Sequence, residues 1–96
     1  MSKVWLNGDI HPSGSGLIDL DNRGLLIADG VFETLPVTAG WPLFLADHLE
    51  RLRRGAQALA LPFGWSNAEI LQAIRALAPG DGESFSVRVT HTRGAG

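Results

Sequence analysis

Strict alternation of apolar and polar residues in "SFSVRVTHT", Ser84 to Thr92, is the feature that most restricts the fold of this chain. Phe85, Val87 and Val89 would lie on one face of a strand, and Ser84, Ser86, Arg88 and Thr90 on the other. Successive side chains of a strand point to opposite faces, so this segment predicts a half-buried strand. The chain must therefore contain a sheet that another layer covers on one side.

The segments before it predict further strands. "KVWLNG" followed by "DIHP" is typical of a hairpin with an Asn-Gly turn. "VFETLPV" places Val31, Glu33, Leu35 and Val37 on one face and Phe32, Thr34 and Pro36 on the other. Glu33 is out of place on an apolar face, and Pro36 suggests an edge or a break. "WPLFL" is the predicted partner strand, while "LLIADG" fits either a strand or a short helical turn.

Two helices are predicted between the strands. In "ADHLERLRRGAQALAL", Asp47 and Glu50 form a capping-box pattern, and Pro62 ends the helix. Its predicted core stripe is Leu49, Leu52, Ala56 and Leu59. A second capping box, Ser66 with Glu69, precedes an apolar stripe of Ile70, Ile74 and Leu77. The order of elements predicts one α+β domain over residues 1–96, a two-layer structure with helices on one side of an antiparallel sheet.

Charge and composition exclude several classes of function. Eight basic and ten acidic residues give a net charge of −2, which argues against a general nucleic-acid surface. The sequence contains no cysteine, which excludes disulfides and cysteine-based metal sites. No segment is apolar enough to cross a bilayer and the start has no signal-peptide pattern, so a cytoplasmic protein is expected. Lys3 is the single lysine, which leaves few candidates for chemistry on a lysine amine.

Arg51 stands apart from the other arginines of the first helix. At about 100° per residue, Arg53 and Arg54 point away from the core stripe and are expected in solvent. Arg51 lies at the boundary of the stripe, on the same edge as His48 and Gly55. Helix geometry alone favours a surface salt bridge for Arg51, and an anion held by its guanidinium is the alternative. His48 is expected to be packed or solvated, and its distance in sequence from His11 and His91 predicts no metal site.

A glycine-rich stretch, "TRGAG", follows the last strand. Its backbone N–H groups could meet a phosphate or carboxylate, although an ordinary loop is the favoured interpretation. Asp29-Gly30 is likewise interpreted as a turn, with a binding site as the less favoured alternative.

Taken in order, "VWLNGDI", "DNRGLLIADGVFETL", "AGWPLFLADHLERL" and "VRVTHTRGAG" resemble the N-terminal domain of class IV pyridoxal-phosphate-dependent enzymes. The family includes D-amino-acid and branched-chain aminotransferases and aminodeoxychorismate lyase. The segments "R-G-x-x-x-x-D-G-V-F-E-T" and "H-L-x-R-L" are specific to this family in their combination and spacing.

The resemblance implies roles for several residues. The arginine of "H-x-x-R-L", here Arg51, contacts the cofactor phosphate in that family, and the aromatic residue of "V-[FY]-E", here Phe32, lies near the substrate. D-amino-acid aminotransferases have tyrosine at the position of Phe32, and branched-chain enzymes have tyrosine at that of Ile27. Phe32 and the "T-R-G-x-G" ending are more similar to the lyase, which makes Arg93 and Gly94 further pocket candidates.

The resemblance also implies what the chain lacks. The family's cofactor-binding lysine lies in a C-terminal domain that is absent here, so no catalytic residue is assigned and this chain alone is expected to be inactive. The implied parent is a homodimeric enzyme that acts on a small amine. The favoured member of the family is the lyase of folate biosynthesis, which forms 4-aminobenzoate and releases pyruvate. An amino-acid transaminase and a non-catalytic stand-alone domain are the alternatives.

Overall fold

The computed structural model describes residues 3–15, 18, 22–23 and 29–94. The ambiguous stretch before Asp29, including Ile27, lies outside these residues. The chain starts with a hairpin of β1 (Lys3–Leu6) and β2 (Asp9–Pro12). Asn7 and Gly8 connect the two strands with φ of 51° and 104°. Positive φ at both turn residues is what a tight hairpin requires, and Asn-Gly supplies it. The predicted hairpin is thus confirmed.

A second sheet carries three antiparallel strands in the order β4-β3-β5. The strands are β3 (Gly30–Thr38), β4 (Trp41–Pro42) and β5 (Phe85–Thr92). β3 and β5 pair from Gly30 with Thr92 to Val37 with Phe85. The predicted alternation is confirmed in both long strands, whose two faces differ in burial.

The predicted partner strand "WPLFL" is only partly right. β4 ends at Pro42, and Leu43 and Phe44 form a turn into the first helix. β3 continues through Pro36 without a break. The carbonyl of Pro36 accepts a hydrogen bond of 2.9 Å from the N–H of Leu43, and its ring nitrogen has no hydrogen to donate in return. The proline lies just past the last pair between β3 and β4, Val37 with Pro42, so it does not interrupt that pairing.

Two helices, α1 (Leu45–Ala58) and α2 (Asn67–Leu77), cover the apolar face of the three-stranded sheet. The buried core is Leu35, Val37, Leu49, Leu52, Ala56, Leu61, Ile70, Ala73 and Ile74. Apolar residues of both layers contribute to this core, so each layer hides the other's hydrophobic side from water. The two-layer α+β domain predicted from the sequence is confirmed.

The structure corrects both predicted ends of α1. The N-cap is Phe44, which makes no side-chain cap, and Asp47 lies inside the first turn. The capping box at Asp47 is therefore wrong, because the turn from β4 commits the chain to the helix earlier. The helix also ends at Ala58, before Pro62. Leu59 becomes the C-cap and is 42% exposed, so it does not join the core stripe.

The predicted start of α2 is confirmed in full. The hydroxyl of Ser66 accepts the N–H of Glu69 at 3.1 Å, and the carboxylate of Glu69 accepts the N–H of Ser66 at 2.9 Å. This reciprocal pair satisfies two backbone donors that the helix leaves unbonded. Of the predicted stripe, Ile70 and Ile74 are buried and Leu77 is half-buried.

Candidate functional site

Glu33 is the acidic side chain that β3 directs toward the helical layer. The strand's alternation places it between Val31 and Leu35 on the covered face. Its side chain is only 14% exposed. A carboxylate in such a position needs charged or hydrogen-bonding partners. α1 provides them.

α1 runs antiparallel to β3, so that residues later in the helix meet residues earlier in the strand. His48 and Arg51 bond to Glu33, and Gly55 lies against Val31. A Cβ built on Gly55 would lie 3.1 Å from Cγ1 of Val31. The helix backbone at this glycine is therefore approached closely by a partly buried valine.

Arg51 binds one oxygen of Glu33 with two donors. Its Nε lies 3.1 Å and its Nη2 2.8 Å from Oε1 of Glu33. These N–H groups, followed by that of His48, hold the pKa of the Glu33 carboxyl below its ordinary value, and partial burial opposes the effect only in part. The same carboxylate raises the pKa of Arg51. Both groups are therefore charged near neutral pH.

His48 contributes a third donor to the same oxygen. Its Nδ1 lies 2.7 Å from Oε1 of Glu33 and 3.2 Å from Nη2 of Arg51. An ionised carboxylate only accepts hydrogen bonds, so Nδ1 carries a hydrogen and cannot also accept one from Arg51. Three donor groups from two residues, His48 and Arg51, thus converge on one acceptor. His48 is packed in the domain, as expected.

The structure shows the salt bridge of Arg51 directly, and the anion interpretation stays a prediction. The salt bridge exists, because Glu33 accepts from one edge of the guanidinium. The Arg51 side chain nevertheless remains 63% exposed. A guanidinium has five N–H donors, and Glu33 accepts from only two of its three nitrogens. The remaining donors fit a phosphate, which arginine binds well through paired N–H groups.

The other two arginines of the helix differ from each other. Arg54 is exposed and pairs weakly with Glu50 at 4.0 Å. Arg53 is half-buried; it donates to the carbonyl of Trp65 at 2.9 Å, and its guanidinium lies 5.3 Å from the ring centroid of Phe63. The expectation that both stay in solvent is right for Arg54 and wrong for Arg53, because the segment after the helix folds back beneath it.

Arg93 belongs to a second cluster, centred on Asp29. One oxygen of Asp29 accepts Nε of Arg93 at 2.6 Å and Nε of Arg23 at 2.9 Å, and these bonds lower the pKa of Asp29. Nη2 of Arg93 also donates to the carbonyl of Leu59 at 2.7 Å. Arg93 thus ties the start of β3 to the end of α1. Gly30, which the sequence placed in a turn with Asp29, is instead the first residue of β3, and Asp29 precedes the strand as an acceptor for two arginines.

Gly94 follows Arg93 with φ of 82°, a conformation that favours glycine. Its N–H donates to the hydroxyl of Thr92 at 3.1 Å, and its carbonyl accepts the N–H of Arg23 at 2.6 Å. Both backbone groups are therefore occupied within the domain. Gly94 thus lies in a loop whose backbone groups bond within the domain, in line with the favoured interpretation.

Phe32 points to the opposite face of β3 from Glu33 and is 56% exposed. The guanidinium carbon of Arg88 lies 4.1 Å from its ring centroid, a cation–π contact that the pairing of β3 with β5 brings about. Phe32 consequently lies on the face of β3 opposite to Glu33, the residue that Arg51 of α1 binds. The described residues bring Arg93 and Gly94 together, but show no contact of either with Arg51 or Phe32.

Three further features of the described residues concern what the chain could contact or bind. Neither helix is long and apolar enough to cross a membrane. No group of three or more histidine, cysteine, aspartate or glutamate side chains in this part of the chain could hold a metal ion. A cavity of about 130 Å³ lies between the hairpin and β5, lined in part by Trp5, Phe63 and Trp65.

Comparison with known proteins gives a consistent result. The family model for class IV amino-transferases matches residues 30–96. D-alanine aminotransferase of Staphylococcus aureus (strain N315) is 27% identical over 95 residues, which are 98% of this chain and 34% of that enzyme. The chain therefore spans about a third of that relative's length.

Solved structures agree with the fold. A hypothetical aminotransferase from Mycobacterium tuberculosis, in its PLP-bound form, superposes with a TM-score of 0.83 at 28% identity, over 98% of this chain and 34% of that one. The 4-amino-4-deoxychorismate lyase of Pseudomonas aeruginosa gives a TM-score of 0.67 at 38% identity, over 82% of this chain and 28% of that one.

Proposed function

The chain belongs to the class IV aminotransferase family, and on that basis we propose that it forms the N-terminal domain of a pyridoxal-phosphate-dependent enzyme in which Arg51 binds the cofactor phosphate. The observation that carries the assignment is the state of Arg51. Its guanidinium is held at one edge by Glu33, and the side chain as a whole is 63% exposed. A fixed, exposed arginine is suited to hold a phosphate dianion.

The described residues supply one part of such a site. When bound, pyridoxal phosphate provides an electron-withdrawing ring that stabilises negative charge at the carbon bearing the substrate amine. Arg51 would bind and orient the phosphate, which places the ring relative to the rest of the enzyme. Lys3, the single lysine of the sequence, lies exposed on β1, the hairpin strand that contacts α2. We therefore assign no proton-transfer or covalent role to this chain.

The experiment compares two cofactor forms and two arginines. Affinity for pyridoxal phosphate and for pyridoxal, which lacks the phosphate, is measured by calorimetric titration for the protein, Arg51→Ala and Arg54→Ala. Loss of charge-assisted hydrogen bonds in Arg51→Ala should weaken pyridoxal phosphate binding about ten- to a hundredfold and leave pyridoxal unaffected. Arg54→Ala removes the same charge from the same helix, so it controls for the overall field.

Two results would overturn the assignment. One is an Arg51→Ala variant that binds pyridoxal phosphate as tightly as the original protein. The other is an Arg54→Ala variant that loses as much affinity as Arg51→Ala, which would indicate diffuse electrostatic attraction rather than a site.

For the parent reaction we propose 4-amino-4-deoxychorismate lyase activity, with release of pyruvate, and an amino-acid transaminase as the alternative. Phenylalanine at position 32 and the lyase among the similar structures support the first. The D-alanine aminotransferases support the second equally well. Incubating the full-length enzyme with 4-amino-4-deoxychorismate, and separately with D-alanine and a keto acid, separates them by product. A homodimer and a small amine substrate stay predictions, as does the alternative of a non-catalytic domain.

A further inference from the structure

Glu33 lies under Arg51 in an arrangement that does more than neutralise a charge. It lies on the central strand β3, which pairs with β5 from Gly30 to Val37, and its side chain is only 14% exposed. Arg51, by contrast, projects from the solvent edge of α1 on a long side chain. The acceptor is thus a covered side chain on a paired strand, and the donor is a long, exposed side chain on the helix.

We propose that Glu33 is the positioning residue for Arg51, and that His48 fixes the carboxylate oxygen on which the arginine rests. The role rests on the proposed function, because it matters only if Arg51 binds an anion. Glu33 itself does not touch the anion; it acts through the guanidinium.

The hydrogen bonds define which edge of Arg51 is left for a ligand. Nε and Nη2 both converge on Oε1 of Glu33, at 3.1 Å and 2.8 Å. Nη1 therefore lies on the side of the guanidinium remote from the carboxylate. Since a free arginine side chain has many rotamers, selecting one before binding removes an ordering cost from the binding step.

His48 explains why the oxygen itself stays in place. Its Nδ1–H donates to the same Oε1 at 2.7 Å, from a ring that is largely covered. His48 and Arg51 are three positions apart on α1, so they lie on one face of the helix. The carboxylate is thus held from two points of one rigid element.

A purely electrostatic role for Glu33 would have the opposite sign. A negative charge beside an anion site repels the anion, and its removal should tighten binding. Glu33→Gln would remove this repulsion, which tightens anion binding, and would also weaken the positioning of Arg51, which loosens it. Because the two effects oppose each other, this variant cannot separate them. Glu33→Asp keeps the charge but withdraws the acceptor by one methylene, which isolates the positioning effect.

The binding test uses pyridoxal phosphate and pyridoxal with Glu33→Asp, Arg51→Ala and the double variant. We expect Glu33→Asp to weaken pyridoxal phosphate binding about two- to tenfold, the loss of one pre-ordered side chain, and to leave pyridoxal unchanged. In the Arg51→Ala background the same substitution should have no further effect. Equal weakening of both ligands, no weakening of either, or an unchanged effect without Arg51 each overturns the positioning role.

A second measurement needs neither a variant nor a ligand. Nitrogen-15 relaxation and hydrogen exchange of the arginine Nε–H groups report side-chain order directly. Arg51 should be ordered and protected, whereas Arg54, on the same helix with only a weak pair to Glu50, should be mobile. If Arg51 is as mobile as Arg54, the positioning proposal fails even where Arg51→Ala shows that the arginine binds phosphate. If Arg51 is ordered but Arg51→Ala has no effect on binding, the proposed function fails, and with it the positioning role.

Discussion

Cγ1 of Val31 lies 3.1 Å from the place where a side chain on Gly55 would begin, so the glycine sets how closely α1 approaches β3. Glycine costs a helix roughly 1 kcal/mol relative to alanine, which makes its presence in the third turn informative. The close packing of α1 on β3 also lets Arg51 of the helix hydrogen-bond to Glu33 of the strand.

Gly55→Ala tests this packing. The gain of about 1 kcal/mol in helix propensity is opposed by overpacking, which costs about 1–3 kcal/mol in a tight core. We expect a net loss of about 1 kcal/mol in the free energy of unfolding, measured by urea denaturation. In a Val31→Ala background the clash is gone, and Gly55→Ala should instead stabilise. The same loss in both backgrounds would show that Val31 is not the obstacle.

Arg53 and Arg54 are adjacent in sequence but should differ in their effect on stability. Arg53→Ala removes a hydrogen bond to Trp65 and a contact with Phe63, and we expect it to cost about 1–2 kcal/mol. Arg54→Ala should change stability by less than about 0.5 kcal/mol, since its ion pair is exposed. Chemical denaturation of the two variants checks this, and equal costs would contradict it.

Stability should fall in acid because of Glu33 and Asp29. Partner arginines lower the pKa of both carboxyls in the folded protein, so the unfolded chain binds protons more readily. Their contribution is complete above the ordinary values of 4.5 for Glu33 and 3.8 for Asp29, and it is lost as pH falls through the lower folded values. Urea denaturation between pH 7 and pH 3 measures the loss. Glu33→Gln and Asp29→Asn should each flatten the curve, and an unchanged slope would contradict the assignment.

The cap of α2 should contribute measurably to stability. Ser66→Ala removes the side-chain acceptor for the N–H of Glu69 and should cost about 1 kcal/mol. Ser66→Asp keeps an acceptor in the same place and should restore most of the loss. Thermal unfolding followed by circular dichroism compares the three proteins. A cost in Ser66→Asp equal to that in Ser66→Ala would show that capping is not responsible.

Local patterns predicted the elements that depend on local physics. Alternation placed β3 and β5, Asn-Gly placed the hairpin turn, and Ser66 with Glu69 placed the start of α2. Asp47 shows the same capping pattern, but it is not the N-cap of α1. Phe44 took the N-cap because the short β4 ends just before it, and no local pattern reports the length of a neighbouring strand.

The candidate site was only half predictable. Arg51 could be identified as a boundary arginine on α1, and Glu33 as a charge on an apolar face, but their pairing joins residues 18 positions apart in different elements. Arg93 stays a predicted pocket residue, but its contacts with Asp29 and the carbonyl of Leu59 join distant parts of the chain and no sequence pattern indicates them.

The sequence by itself determined which residues could form strands and helices, and which side of each faces the core, because the period of apolar residues acts within one segment. Only the tertiary structure decided which side chains meet. Glu33, His48 and Arg51 converge because α1 crosses β3 in the antiparallel direction at a distance that Gly55 permits. That distance depends on the packing of two layers, a property that no single segment contains.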